Sequence, residues 1–319
     1  MKILLAKQYG LCFGVKRALK LAKMKAKLLN DNFFGITEKC TKKNNKIKKT
    51  YLVYTLGPII HNPQAVEFLK TRYIVPIDEN KIEILDKNKN SFLVIRSHGI
   101  TKNLENRLVK SGYSLIDATC PFVKKAQNIA NELKKKSIFS IIIGDEKHPE
   151  VIGIKSYANK KSLIINTLDE LKEKFDKNFF NLRKQKKIGV LCQTTQNLEK
   201  LKKIISFLKK QKFELEIYNT ICSATLQRQE EAKKISKEAN VVLVIGGKNS
   251  SNTNKLFEIC KKVNKNTFHI EQDSDIRDSM LNGCKNNSDA KVGIVTGTST
   301  PSLIIRKVIN EVRRLENNG

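Results

Sequence analysis

The sequence predicts an α/β fold built from three similar units with small parallel sheets. Short apolar runs rich in β-branched residues alternate with amphipathic helical segments along all 319 residues. Such an alternation is typical of parallel strands covered by helices. Three cysteines, Cys12, Cys120 and Cys222, recur at intervals of 108 and 102 residues, each after an apolar run and before a helix-like segment. We therefore expect one thiol at a strand-to-helix turn in each of three units.

Continuous apolar stretches mark the candidate strands, as expected for strands buried on both faces of a sheet. These candidates lie at 3–6, 51–56, 92–97, 138–144, 162–166, 188–193, 241–247 and 292–297. Candidate helices, which have an apolar stripe instead, lie at 14–30, 122–136, 198–211, 224–239, 252–263 and 302–316. The Lys- and Asn-rich stretches 38–50 and 176–187 are expected to be surface loops.

The three expected units are residues 14–119, residues 120–220, and residues 1–13 together with 221–319. In the last unit, the first strand of the chain pairs with strands from the final third. Ligands of parallel sheets bind outside the carboxyl ends of the strands. A shared cleft between the three units is therefore the expected place for a site.

Composition narrows the class of protein. The formal charge is +30, yet the lysines are spread along the chain and there is no tryptophan and no basic–aromatic stripe, which argues against nucleic acid as a partner. No apolar run reaches about 18 residues, so we expect no membrane span. The first residues, MKILLAKQYG, lack a long apolar signal core, and we expect a cytoplasmic protein.

The seven cysteines do not suggest a disulfide framework, because their number is odd and no signal peptide is evident. On spacing alone, the three recurring thiols could hold zinc, hold an iron–sulfur cluster with one iron left open, or share no role. No C-x-x-C occurs, which argues against zinc ribbons and the usual ferredoxin motifs. Core or surface roles are expected for the remaining cysteines, which are Cys40, Cys192, Cys260 and Cys284.

Polar side chains follow many of the candidate strands. These residues are His61, His98, His148, Glu150, Thr194, Thr195, Ser250, Ser251, Asn252 and Ser299. Each alone has an ordinary interpretation, such as a helix N-cap for a serine or a structural histidine, which we expect of His269. Together they predict a shared site at the strand ends.

Two serine-rich turns, GGKNSSN and GTSTPS, precede helices and suit a phosphate group. Neither has P-loop spacing, and no G-x-G-x-x-G follows a strand. We expect Ser, Thr, Asn, His and backbone groups to bind the anion, with little help from the abundant lysines.

Nine motifs carry a resemblance to a known family: GLCFGV, IIHN, SHGI, DATCPFV, HPEVIG, QTT, ICSATLQRQ, KNSSN and GTSTP. In this order they resemble the 4-hydroxy-3-methylbut-2-enyl diphosphate reductase (LytB) family over essentially the whole chain. The resemblance implies three α/β units in pseudo-threefold arrangement around one [4Fe–4S] cluster per chain. It also implies the last step of the methylerythritol phosphate route to isoprenoids, a reductive dehydroxylation that yields isopentenyl and dimethylallyl diphosphates.

The resemblance further implies a role for each matching residue. Cys12, Cys120 and Cys222 would ligate the cluster, and Glu150 would be the proton source, with Thr194 orienting the substrate hydroxyl. The residues implied to line the substrate pocket or hold its diphosphate are His61, His98, His148, Ser250, Ser251, Asn252 and Ser299. The implied partners are the allylic diphosphate and a one-electron donor protein of the ferredoxin or flavodoxin type.

Two alternatives remain open from the residues themselves. A cluster-dependent hydro-lyase would use the same open iron without net electron transfer, and its activity would persist without a reductant. A basic RNA- or ribosome-associated protein would use the charge of +30, bind RNA with a steep salt dependence and purify without colour.

Overall fold

The structure is a computed structural model that describes residues 1–37, 52–60, 62–84, 92–177, 187–284 and 289–317. The described strands are β1 Lys2–Leu5, β2 Val53–Leu56, β3 Ile74–Ile77, β4 Phe92–Ile95, β5 Ser114–Asp117, β6 Phe139–Ile143, β7 Leu163–Ile165, β8 Lys187–Cys192, β9 Glu214–Ile217, β10 Val241–Ile245, β11 Thr267–Ile270 and β12 Lys291–Thr296. The described α-helices are α1 Phe13–Thr37, α2 Pro63–Lys70, α3 Lys102–Lys110, α4 Pro121–Lys135, α5 Pro149–Tyr157, α6 Leu168–Lys177, α7 Leu198–Lys210, α8 Ser223–Glu238, α9 Ser251–Val263 and α10 Ser302–Asn317.

These strands form three four-stranded sheets with one shared topology. The strand orders are β1-β12-β10-β11, β5-β4-β2-β3 and β9-β8-β6-β7, and every strand pair is parallel. In this direction, the first strand of each sheet is the edge strand that leads to one of the three recurring cysteines. The prediction of three similar α/β units with parallel sheets is confirmed.

The sheet that contains the first strand of the chain closes with strands from the last third. β1 pairs with β12 in a register that sets Lys2 opposite Lys291 and Leu5 opposite Ile294. The chain therefore leaves this sheet after β1, builds the other two sheets, and returns to complete it. The exact boundaries between the units stay a prediction.

Each sheet is covered by apolar side chains on both faces, as the continuous apolar runs predict. In β10, Val241, Leu243 and Ile245 enter one core cluster, and Val242 and Val244 enter the other. Side chains of a strand alternate between faces, so both sets are buried only when helices cover both sides of the sheet. The second sheet and the third repeat this pattern.

Four strands lie outside the eight candidate runs of the sequence: β3, β5, β9 and β11. All four lie at sheet edges. Both end residues of β5 and β9 are exposed, so neither strand forms a continuous apolar run. An edge strand is half solvated, and its sequence then lacks the signal that reveals a central strand.

The expected loop at 38–50 lies outside the described residues, as does 178–186, most of the other one. No described helix combines the length and the apolar character needed to cross a membrane.

The contact between β12 and α8 gives a test of packing. A Cβ placed on Gly293 would lie 2.5 Å from Ile235 Cγ2 and 3.0 Å from Ala239 Cβ. The backbone fixes the position of the Ala239 Cβ, so Gly293→Ala must push α8 away from the sheet. We expect the free energy of unfolding to fall by roughly 1–3 kcal/mol, measured by urea denaturation. Gly283→Ala is the matched control, because its Cβ would meet nothing closer than 3.4 Å; equal effects of the two substitutions would contradict the packing argument.

Candidate active site

The three recurring cysteines are held by the same backbone hydrogen bond in all three units. The N–H groups of Cys12, Cys120 and Cys222 donate to the carbonyl oxygens of Thr298, Ser97 and Thr194 respectively, each at 2.9 Å. The accepting carbonyls lie in the turns that follow β12, β4 and β8. Each thiol is therefore fixed beside a turn that carries predicted site residues.

The three thiols also face one another. Cys120 and Cys222 are the N-cap residues of α4 and α8, and Cys12 directly precedes α1. A Cβ placed on Gly14 would lie 2.7 Å from Cys120 Sγ and 4.0 Å from Cys12 Sγ. The space beside these two thiols exists because position 14 has no side chain. Helix N-termini favour negative charge, so this arrangement suits thiolates.

Burial raises the pKa of two of these thiols. The pKa of Cys120 rises to about 11, chiefly through burial, and the nearby Cys12 and Cys222 contribute to the rise. Burial also raises the pKa of Cys222, while a hydrogen bond with the Thr225 hydroxyl at 3.1 Å opposes that change. A thiol that binds a metal is deprotonated. The positive charge of a metal centre would therefore offset the repulsion between thiolates held close together.

The three recurring cysteines come from three separate units. In the part of the chain that the structure describes, no three His, Cys, Asp or Glu side chains are grouped to hold a single metal ion. Cysteines that hold an iron–sulfur cluster bind different irons, and three thiols from three units fit that requirement.

Arg228 links two of the thiol-bearing segments. One of its terminal nitrogens donates to Thr296 O at 2.8 Å and Thr296 Oγ1 at 3.1 Å, and the other donates to Gly10 O at 2.8 Å. Burial lowers the pKa of Arg228, and the neighbouring Cys12 and Cys222 raise it. This side chain fixes the loop before Cys12 against the helix after Cys222 and adds positive charge near both.

Glu150 forms the most buried charged group at the strand ends, with a residue exposure of 1 %. Its carboxylate accepts from Thr194 N at 2.5 Å and from Thr194 Oγ1 at 2.9 Å. Burial raises the pKa of Glu150, and the two bonds from Thr194 and the charge of Lys255 oppose that rise. The same Thr194 accepts the N–H of Cys222 through its carbonyl, so the acid lies next to a thiol.

Two of the predicted histidines, His98 and His148, lie close to this acid. His148 is the N-cap of α5, and its Nδ1 accepts from Glu150 N at 3.1 Å. The rings of His98 and His148 meet edge to face, with centroids 5.3 Å apart. His61 lies outside the described residues. The structure therefore brings His98, His148 and Glu150 together from two units.

Two residues at the start of α9, Ser250 and Asn252, are buried, and their polar groups are only partly hydrogen-bonded within the protein. Ser250 caps the helix, its hydroxyl accepting from Thr253 N at 3.4 Å. Asn252 is 3 % exposed, and its Nδ2 has no hydrogen-bond partner in the described protein. Ser299 lies in the turn after β12, where Thr300 Oγ1 donates to Ile245 O at 2.9 Å. An unsatisfied amide in such a turn is available to an anionic ligand.

Lys255 is a site residue that sequence reasoning missed. It is 7 % exposed, although the sequence analysis assigned little part in the site to the lysines. Its Nζ donates to Ser251 Oγ at 3.0 Å, and the same oxygen accepts from Gln193 Nε2 at 3.0 Å. The available signal was spacing, because positions 251 and 255 lie one turn apart on the same face of a helix.

Three of the remaining cysteines and His269 lie elsewhere in the described part of the chain. Cys192, Cys260 and Cys284 are buried in apolar cores, and Cys40 lies outside the described residues. The Nε2 of His269 is 2.8 Å from Gly246 O, in a hydrogen bond on the strand next to β10.

Three parallel sheets whose strand ends gather free thiols, a buried acid and serine-rich helix starts define an α/β enzyme with a thiol-lined centre. The sequence matches the family described as LytB protein over residues 3–313. The chain belongs to the LytB protein family, and the family resemblance predicted from the sequence motifs is confirmed.

Two similar proteins are both named 4-hydroxy-3-methylbut-2-enyl diphosphate reductase. The chain is 42% identical to that of Caldanaerobacter subterraneus subsp. tengcongensis, covering 99% of this chain and 98% of the relative. It is 37% identical to that of Aquifex aeolicus, covering 98% and 96% respectively. These names denote oxidoreductases. They favour the predicted reductase over the two alternatives, a hydro-lyase and an RNA-associated protein.

Solved structures give the same picture. One, described as (E)-4-hydroxy-3-methyl-but-2-enyl diphosphate reductase, the terminal enzyme of the non-mevalonate pathway, is 36% identical with a TM-score of 0.63, covering 98% of this chain and 100% of that one. Another, the E-1-hydroxy-2-methyl-but-2-enyl-4-diphosphate reductase of Plasmodium falciparum, is 25% identical with a TM-score of 0.79, covering 97% and 87%.

The hydroxyl of Thr194 should control the protonation of Glu150. In the native protein, the hydrogen bond from the Thr194 hydroxyl lowers the pKa of Glu150. Thr194→Val keeps the backbone N–H and the side-chain shape but removes this hydrogen bond to Oε2. We expect the pKa of this carboxyl to rise in Thr194→Val, measured by infrared titration of its carbonyl band against Glu150→Gln. Thr195→Val should leave it unchanged. An unchanged pKa in Thr194→Val would remove this hydrogen bond from the account.

Proposed function

We propose that this chain catalyses the reductive dehydroxylation of 4-hydroxy-3-methylbut-2-enyl diphosphate to isopentenyl and dimethylallyl diphosphates. Family membership over nearly the whole chain supports the reaction. The observation that carries the proposal is the hydrogen bond from Cys222 N to Thr194 O. It connects Cys222, one of the three recurring cysteines, to Thr194, which donates two hydrogen bonds to the buried acid Glu150. The residues proposed to hold the electron source and the proton source would therefore be neighbours.

Cys12, Cys120 and Cys222 would hold one [4Fe–4S] cluster per chain. The support is that the three thiols come from three units, that Cys12 and Cys222 are close enough to Cys120 to affect its pKa, and that Gly14 leaves space beside Cys120. When bound, such a cluster supplies electrons one at a time and offers a Lewis acid at an iron without a cysteine ligand. Arg228 lies near Cys12 and Cys222 and adds positive charge there.

The turns before α9 and α10 would bind the diphosphate. Ser250, Ser251 and Asn252 begin α9, where backbone N–H groups and the helix dipole favour an anion. The buried Asn252 Nδ2 without a protein partner suits a diphosphate oxygen. Ser299 contributes from the turn after β12, and the pocket is completed by the histidines, which are His61, His98 and His148.

Glu150 would deliver the proton that lets the hydroxyl leave as water. Its raised pKa keeps a proton on the carboxyl at a higher pH than for an exposed glutamate. Thr194 Oγ1 lies 2.9 Å from Glu150 Oε2 and would orient the substrate hydroxyl toward the acid. A positioned acid of this kind contributes roughly 10²–10⁴ in rate. Burial of the pair excludes water, which limits loss of the proton to solvent.

The proposal includes a one-electron donor protein of the ferredoxin or flavodoxin type, because the reaction consumes two electrons. It also includes a cytoplasmic location, which the free cysteines among the described residues support, since thiols persist in a reducing compartment.

The cluster ligands can be tested by metal content. Cys12→Ser, Cys120→Ser and Cys222→Ser should each lower the iron and sulfide bound by anaerobically purified protein and weaken its brown colour. Cys192→Ala is the matched control: that thiol is fully buried in a core, and iron content should not change. Normal iron in all three serine variants would overturn the ligand assignment, and an iron-free Cys192→Ala protein would show that other thiols serve.

The acid can be tested separately from the cluster. Glu150→Gln keeps the shape and an acceptor for Thr194 but cannot supply the proton. We expect iron content to stay normal and kcat to fall by roughly 10²–10⁴ in an anaerobic assay with a chemical reductant. Near-wild-type turnover would remove Glu150 from proton transfer. Activity of the wild-type protein without any reductant would instead support a hydro-lyase.

A further inference from the structure

Lys255 is a buried cation to which the proposed chemistry assigns no role. Lysine is almost never fully buried unless paired, and an uncompensated buried charge costs several kcal/mol. With 7 % exposure, this side chain projects from the second turn of α9 toward Ser251, a predicted anion ligand. The unfavourable free energy of desolvating this ammonium group suggests that the lysine has a function.

The hydrogen bonds of Ser251 fix the direction of its hydroxyl proton. A serine hydroxyl has one hydrogen and two acceptor lone pairs. Lys255 Nζ and Gln193 Nε2, each 3.0 Å from Ser251 Oγ, are both donors only, so they occupy both lone pairs. The amide of Gln193 is held in this orientation because its Oε1 accepts from Asp145 N at 3.2 Å.

With both lone pairs occupied, the Ser251 hydroxyl can act only as a donor. Without a ligand, its hydrogen can rest on Thr195 Oγ1, 3.2 Å away, which also accepts from Gln193 Nε2 at 3.0 Å. A diphosphate oxygen is a stronger acceptor than a threonine hydroxyl. An arriving anion can therefore take this hydrogen bond without any rearrangement of the protein.

We propose that Lys255 is a positioning residue that holds Ser251 as a dedicated hydrogen-bond donor to the anionic end of the substrate. This inference rests on the proposed function, in which Ser251 lies in the diphosphate site. Lys255 acts through Ser251, so its removal should weaken anion binding and affect the chemical step less.

The charges around Lys255 make its protonation sensitive to pH. The pKa of Lys255 is lowered to about 8, chiefly by burial, and Lys200 on α7 contributes to the decrease. Glu150 on α5, Glu258 on α9 and Asp145 in the turn after β6 raise it. Below about pH 8 the ammonium is present. Above that pH, the neutral amine has a lone pair, can accept the Ser251 proton, and no longer reserves that proton for the anion.

Pyrophosphate binding tests the inference on cluster-loaded protein, by anaerobic calorimetry at pH 7. Lys255→Met should weaken binding about tenfold or more, the loss of one charge-assisted hydrogen bond, while Lys255→Arg should keep most of the affinity. Lys262→Met, which removes an exposed lysine from the same helix, should bind like wild type. If Lys255 works through Ser251, the double variant Lys255→Met/Ser251→Ala should bind no more weakly than Ser251→Ala alone.

Two further readouts separate positioning from a merely structural role. Wild-type affinity should fall relative to that of Lys255→Arg as pH rises through about 8, because arginine stays charged and the titration of pyrophosphate itself cancels in the comparison. With the hydroxylated substrate, Lys255→Met should raise KM more than it lowers kcat. Thermal unfolding of each variant confirms that the protein compared is folded, and Lys255→Arg carries the test if Lys255→Met does not fold.

The outcomes distinguish this inference from the proposed function. Equal pyrophosphate affinity in Lys255→Met and Lys262→Met, losses that add in the double variant, or no pH difference between wild type and Lys255→Arg would each overturn the role of Lys255. Pyrophosphate that does not bind wild-type protein would overturn it as well. A wild-type protein that binds pyrophosphate through Lys255 but does not reduce the substrate would overturn the proposed reaction alone.

Discussion

The site depends on one hydrogen bond that occurs three times, from the N–H of a cysteine to the carbonyl of a turn in the same sheet. Each bond is 2.9 Å long and joins an edge-strand segment to the turn after the neighbouring strand. Parallel strands bring their carboxyl ends to one side of a sheet, so this bond sets a thiol beside a polar turn without any contribution from the other units. Three sheets with the same strand order then need only to face one another for the thiols to meet. The fold supplies the threefold geometry, and the local hydrogen bond supplies the position of each thiol within it.

Burial at this centre carries a cost that the hydrogen bonds offset. Glu150 and Lys255 are each less than one-tenth exposed, and moving either charge out of water costs several kcal/mol. Thr194 repays part of the cost for the acid with two donors, and Ser251 accepts from the lysine. The charges of Glu150 and Lys255 also favour each other. Their low-dielectric surroundings strengthen every polar contact a ligand makes, so the cost of burial and the affinity of the site have the same physical origin.

The fold could be predicted from the sequence because the central strands are continuous runs of apolar residues. β10 and β12 are buried along nearly their whole length, and continuous apolar runs located them. The edge strands β5 and β9 are solvated at both ends, and the same criterion passed over them. The polar turns were recognisable because serine, histidine and glutamate cluster after strands. Arg228 and Lys255 were not, because a long cation has the same appearance in a sequence whether its head group lies in solvent or beneath a turn.

A net charge of +30 therefore describes the surface better than the site. The number of lysines says only that the protein is basic. Lys255 is distinguished by its neighbours: a serine oxygen with two lone pairs, an amide whose orientation another hydrogen bond fixes, and a carboxylate whose charge favours the ammonium. Counting donors and acceptors around the Ser251 oxygen identifies this lysine, which composition alone could not do. The same count explains why Ser251 can bind an anion. Both lone pairs of its hydroxyl oxygen accept hydrogen bonds from the protein, so the hydroxyl can form a further hydrogen bond only as a donor.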